Sequence, residues 1–118
     1  MVVEDEPDAA ELFAEMMRVS GFRVVKMFSS TPAIKMIAQE KPDVVILDVM
    51  MPDVSGLEVL RYIRRDPDLM HIPVIVVSAK SMPSDIKTGM EAGASVYLTK
   101  PVGYLDLKQA VERLMETA

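Results

Sequence analysis

The chain has no cysteine and no tryptophan. Without cysteine there are no disulfides and no thiolate metal sites, and the redox compartment stays open. Without tryptophan, and with three phenylalanines, there is little material for stacking on bases. Positive charge is also scarce. Thirteen Lys and Arg stand against 18 Asp and Glu, for a formal net charge of -5, and no basic run exceeds two residues. That balance disfavours direct nucleic-acid binding, which rests on neutralising phosphates with a basic surface. No apolar run approaches the roughly 20 residues of a membrane span, and no signal peptide opens the chain. A cytoplasmic protein with no membrane partner is the default reading.

What the chain does have is aliphatic. Half of its 118 residues are hydrophobic and 5% are aromatic, so Val, Ile, Leu, Met and Ala must build the core. The length suits one domain with one complete core. Two short β-branched runs, Val44 to Leu47 and Ile72 to Val77, read as strands buried on both faces. Val2-Val3, Phe22 to Phe28 and Ser95 to Thr99 supply three more candidate strands. Between them, apolar residues recur at helical spacing: Leu12, Phe13, Met16 and Met17; Ile34 and Ile37; Leu57, Leu60 and Ile63; a weak set at Ile86 and Met90; and Leu107, Val111 and Leu114. Pro7 and Pro32 suit first-turn positions, Ser55 with Glu58 has capping-box spacing, and Gly21 and Gly93 suit left-handed helix ends. The order βαβαβαβαβα implies an α/β fold: a parallel sheet with helices on both faces and right-handed crossovers. No linker or repeat divides it, so residues 1–118 are expected to form one domain. The first strand has only three residues before Glu4, which fits a truncated strand or, as slightly favoured, a chain cut from a longer protein.

In such a sheet, ligands bind beyond the carboxyl ends of the strands. There the sequence places Glu4-Asp5-Glu6, Asp48, Ser78 and Thr99-Lys100. Wet loops explain one or two polar residues, but not an acid directly after a four-residue apolar run. Clustered carboxylates repel unless a cation joins them, and a hard divalent cation with oxygen ligands is the natural solution. A lysine across from them suits an incoming anion. The rim therefore points to magnesium and phosphoryl chemistry.

Four motifs carry a family resemblance: Val2-Val3-Glu4-Asp5-Glu6-Pro7, Leu47-Asp48-Val49-Met50-Met51-Pro52 with Gly56, Val77-Ser78-Ala79, and Tyr97-Leu98-Thr99-Lys100-Pro101. In order and spacing they resemble the receiver domains of two-component response regulators, along the whole chain. The resemblance implies a flavodoxin-like fold with strand order 2-1-3-4-5. It implies that Asp48 takes a phosphoryl group from a histidine kinase or histidine phosphotransfer protein. Glu4, Asp5, Asp48 and the Met50 backbone carbonyl would hold Mg²⁺ or Mn²⁺. Ser78, the Ala79 backbone and Lys100 would bind the phosphoryl oxygens, and Ser78 with Tyr97 would form the switch. Lys100-Pro101 would be a cis peptide, although trans is the larger prior for any X–Pro bond. Met50 and Lys80 occupy positions that tune loss of the phosphoryl group; neither suits holding a water in line, so self-hydrolysis is expected to be slow. The output surface would run over the fourth helix, fifth strand and fifth helix, from about Met82 to Met115. It would meet an effector domain or target protein, and a homodimer could form through it. No effector domain lies within this chain.

The sequence departs from the pattern in places. Glu4 stands where Asp is commoner, Ser78 where Thr is commoner, and Gly103-Tyr104 where an acidic or proline-containing start is usual. Three other functions compete. An aspartate-nucleophile, Mg²⁺-dependent phosphatase needs a second Asp two residues on, where this chain has Met50. A nucleotide- or flavin-binding domain needs a glycine-rich loop that is missing. A degenerate receiver acting as a scaffold is disfavoured by Asp5, Asp48, Ser78 and Lys100 together. His71, the lone histidine, is assigned no role, and Arg61, Arg64 and Arg65 read as the solvated face of the third helix. The eleven Met residues are mostly core filler, with Met27, Met70 and Met82 the candidates for exposure.

Overall fold

A computed structural model of the chain describes residues 1–116. Five strands alternate with five helices: β1 (Val2–Val3), α1 (Pro7–Val19), β2 (Lys26–Met27), α2 (Ser30–Glu40), β3 (Val45–Asp48), α3 (Gly56–Arg65), β4 (Val74–Ser78), α4 (Pro83–Glu91), β5 (Val96–Thr99) and α5 (Tyr104–Glu116). All pairings are parallel, and the order is β2-β1-β3-β4-β5. This is the doubly wound order expected above.

The apolar runs of β3 and β4 follow from helices covering both faces. Successive side chains of a strand point to opposite faces. Val45, Leu47, Val74 and Val76 accordingly pack with Ile37 of α2 and Leu60 and Ile63 of α3. Ile46, Ile75 and Val77 pack with Phe13 and Met17 of α1 and Leu107 and Val111 of α5. β1, β3 and β4 are buried at every position; β5 is half-buried and ends exposed.

The second strand is shorter than its apolar residues suggest. Of Phe22 to Phe28, only Lys26 and Met27 form the strand, because β1 offers just Val2 and Val3 as register partners. Phe22 and Val24 still pack against the α1/α5 core. The weak helical signal at Ile86 and Met90 also has a cause. The buried residue of α4 is Gly89, while Met90 is exposed. Gly21 and Gly93 take φ of 94° and 114°, as their helix-ending positions require. The Ser55–Glu58 box does not close as spaced: the Ser55 side chain accepts from the Leu57 amide, and Glu58 instead pairs with Arg61. Among the described residues no helix is long and apolar enough to cross a membrane.

Candidate functional site

Glu4, Asp5 and Asp48 meet at the carboxyl end of the sheet because β1 and β3 are adjacent, with Val3 in register with Leu47. Each strand therefore delivers its first polar side chain at the same level. One carboxylate oxygen from each of the three lies within 4.8 Å of the others. Their exposures differ: Asp5 is open to solvent, whereas Glu4 and Asp48 are 1% and 4% exposed.

Lys100, just past β5, spans the two buried acids. Its Nζ donates to Glu4 Oε1 at 2.6 Å and to Asp48 Oδ2 at 3.2 Å. Asp48 Oδ1 accepts from the Met50 amide at 3.0 Å, a local turn that folds the β3–α3 loop over the carboxylate. Glu4 Oε2 is buried without a hydrogen-bond partner among the described residues. Burial, and next the nearby Asp48 carboxylate, push the Glu4 carboxyl up to about 7 against the pull of Lys100. Burial works to lower the Lys100 pKa, but the Glu4 and Asp48 carboxylates outweigh it and hold it above the usual lysine range. When ionised, the three carboxylates face one lysine, which leaves the cluster two positive charges short, with Glu4 Oε2 unpaired. An all-oxygen donor set with one open lone-pair direction fits a hard divalent cation.

The other rim residues stand close by. Ser78, fully buried at the end of β4, accepts from the Lys80 amide at 3.1 Å through its Oγ. Ala79 and Lys80 are exposed in the following loop. Asp5, Met50 and Lys80 line one open cleft with Met51, Pro52 and Ser55. The Lys100–Pro101 peptide is cis. Tyr97 is half-buried, and its hydroxyl donates to the Lys80 carbonyl at 2.8 Å. Its ring lies against Gly89 of α4, where an added Cβ would come within 2.7 Å of Cδ2.

Four residues matter here whose parts the sequence did not reveal. Gly56 opens α3 so close to β3 that a Cβ would stand 2.1 Å from the Asp48 carbonyl oxygen. Arg64 is not on a solvated face: it donates to the carbonyls of Gly93, Met70 and Ile72, tying α3 to the entrances of β4 and β5. Asp53, exposed in the β3–α3 loop, accepts the amides of Ser30 and Thr31, and buried Ser30 donates to the Val54 carbonyl. Those amides hold the Asp53 carboxyl well below the usual carboxylate range. The sequence signal, weak in itself, was an α2 with no acid in its own first turn.

The response regulator receiver domain family model matches residues 1–112. The polar-differentiation response regulator DivK of Brucella ovis is 33% identical over 117 residues, covering 99% of this chain and 89% of that protein. Among solved structures, the signal receiver domain of a signal transduction histidine kinase from Syntrophus aciditrophicus superimposes with a TM-score of 0.92 at 32% identity, covering 99% of this chain and 89% of that one. The receiver domain of a sensor histidine kinase from Pseudomonas aeruginosa PAO1 superimposes with a TM-score of 0.90 at 25% identity, covering 98% and 94%. That structure holds a magnesium ion in its active-site cleft.

Proposed function

Because this chain belongs to the response regulator receiver domain family of two-component signalling, we propose that its Asp48 is the phosphoacceptor. The observation that carries this reading is the buried Asp48 carboxylate, flanked by Glu4 and Asp5 and capped by Lys100. The Asp48 carboxylate attacks the phosphorus of a phosphohistidine on a histidine kinase or histidine phosphotransfer protein. The P–N bond breaks as the O–P bond forms, and the departing imidazole nitrogen takes up a proton. Lys100 leaves its carboxylate partners to meet the incoming oxygens, and the Ser78 hydroxyl and Ala79 amide donate to them. Glu4, Asp5, Asp48 and the Met50 carbonyl would hold Mg²⁺, which supplies charge neutralisation at the phosphoryl oxygens. The chain's own contribution is positioning and electrostatics, the bulk of what phosphoryl transfer requires.

Phosphorylation adds roughly -1.5 to -2 charges at one point. Drawing the Ser78 hydroxyl to the phosphoryl group releases the Lys80 amide. The loop that holds the Tyr97 hydroxyl then changes, and the ring can turn inward. The α4–β5–α5 surface reports that change to an effector or target, or to a second copy of the chain. With Met50 and Lys80 beside the site, self-dephosphorylation is slow and the domain is a regulator, not a turnover enzyme. It works in the cytoplasm.

Intact-mass measurement after incubation with acetyl phosphate and Mg²⁺ tests the reading. Wild type gains one phosphoryl group, whereas Asp48→Asn, or wild type without Mg²⁺, gains none. Absence of any addition to wild type would leave a binding scaffold as the function.

A further inference from the structure

We infer that Asp53 and Ser30 form a clamp that positions the β3–α3 loop, and with it the Met50 carbonyl, for Mg²⁺; the inference rests on the proposed metal-dependent role of the Asp48 site. The argument begins with α2. A helix starts with amides that have no partner within the helix. In α2 these belong to Ser30 and Thr31, because the third residue, Pro32, has no N–H, and the Ala33 amide already reaches Ser29 O at 3.4 Å. The Ser29 side chain makes no cap. Both orphan amides are taken by one carboxylate from another element: Asp53 Oδ1 accepts from Ser30 N at 3.1 Å, and Oδ2 from Thr31 N at 3.0 Å. The positive end of the helix dipole adds to the attraction.

The contact is returned from the other side. Ser30, with no exposed surface, donates its hydroxyl to the Val54 carbonyl at 2.5 Å. Three hydrogen bonds thus join two adjacent loop residues to the first turn of α2. The far end of the loop is closed by Val49 O, which accepts the Gly56 amide at 2.9 Å and the Met51 amide at 3.2 Å. Between these fixed points lies Met50, whose amide touches Asp48 and whose carbonyl is the proposed metal ligand. Its own side chain is exposed. The carbonyl's direction is therefore set by the two ends of the loop, and the α2 clamp is the end that neither Asp48 nor α3 supplies. Asp53 is a positioning residue: it supports the ligand without approaching the reacting atoms.

The experiment compares wild type, Asp53→Ala, Asp53→Asn and Ser30→Ala in calorimetric titrations with Mg²⁺ alone. Phosphorylation rates with acetyl phosphate are then measured across Mg²⁺ concentration. Losing support of a metal ligand weakens metal binding by about tenfold, so that loss is expected for Asp53→Ala. Asp53→Asn, which keeps one acceptor, should fall between it and wild type. At saturating Mg²⁺ the Asp53→Ala rate should return to within about twofold of wild type, because the Asp48 chemistry is intact. A merely structural role would instead lower the rate at every Mg²⁺ concentration. Thermal unfolding of each variant, with Ser30→Ala as the second probe of the clamp, keeps the test valid if one variant folds poorly. Mg²⁺ affinity of Asp53→Ala and Ser30→Ala within twofold of wild type overturns the inference. A wild type that binds Mg²⁺ but accepts no phosphoryl group overturns the Asp48 reading alone, and the calorimetric comparison still decides the clamp.

Discussion

The centre of the sheet and its β5 margin are built on different terms. In β3 and β4 every residue is buried, including Asp48 and Ser78, so two layers of apolar packing fix the strand backbone that carries those groups. At the margin, β5 is half-buried and α4 buries little beyond Gly89. There the Tyr97 hydroxyl is held by one hydrogen bond to a loop carbonyl, and the Lys100 ammonium by two carboxylates. A group held by dense packing moves only at the cost of the core. A group held by a few polar contacts can exchange them when a charge arrives. The centre supplies a fixed site, and the margin supplies the part the proposed switch would move.

Substitutions can break this contrast. The largest effect is expected from Leu47→Ala, a fully buried side chain directly before Asp48. It should cost about 2–5 kcal/mol in urea-induced unfolding. A loss under 1 kcal/mol would mean that the centre is not rigidly packed. At the margin, Tyr97→Ala should cost about 1–2 kcal/mol, within the ordinary range for point substitutions. It should leave phosphorylation of Asp48 intact while weakening the response of a partner, measured as the gain in partner affinity on phosphorylation. An equal gain in wild type and variant would remove Tyr97 from the switch.

The smallest effect is a pH slope, which sharpens the contrast by asking what the fixed centre tolerates. The Glu4 carboxyl has an ordinary pKa of 4.5 and a folded value of about 7. The folded state then binds the proton more tightly than the unfolded one. Its contribution to stability is fully present below pH 4.5 and is lost as pH rises through 7. Denaturant midpoints of the metal-free protein should fall over that window, and Glu4→Gln should flatten the fall. The Asp53 carboxyl, depressed by its two amides, gives the opposite slope: its contribution is present above pH 3.8 and lost as pH falls through its folded value. A Glu4→Gln curve parallel to wild type would show that Glu4 is not the source.

The parts of the molecule that sequence reasoning reached are those with a local signature. The runs Val44 to Leu47 and Ile72 to Val77 mark two-faced burial because burial acts on every residue of a central strand. Glu4, Asp48, Ser78 and Lys100 stood out because each follows an apolar strand immediately. Asp53 did not, since the amides it serves are 22 and 23 residues away in the chain. Arg64 was read as surface because helical spacing cannot distinguish a solvated arginine from one reaching carbonyls of Gly93 and Ile72. The extent of β2 was overread because Phe22 and Val24 are apolar for the sake of the α1/α5 core, not for strand pairing. Long-range polar contacts leave little trace in a periodic pattern, and they account for most of what was missed.

The glycine at position 56 carries a warning for anyone who scans this domain by mutation. Any side chain there must occupy space already filled by the backbone oxygen of residue 48. In a library scored only by signalling output, position 56 would therefore rank beside the proposed phosphoacceptor, Asp48, though it only makes room for the backbone. Scoring abundance and output separately would part the two. Conservative exchanges at 48 would give plentiful silent protein, whereas exchanges at 56 would deplete the protein.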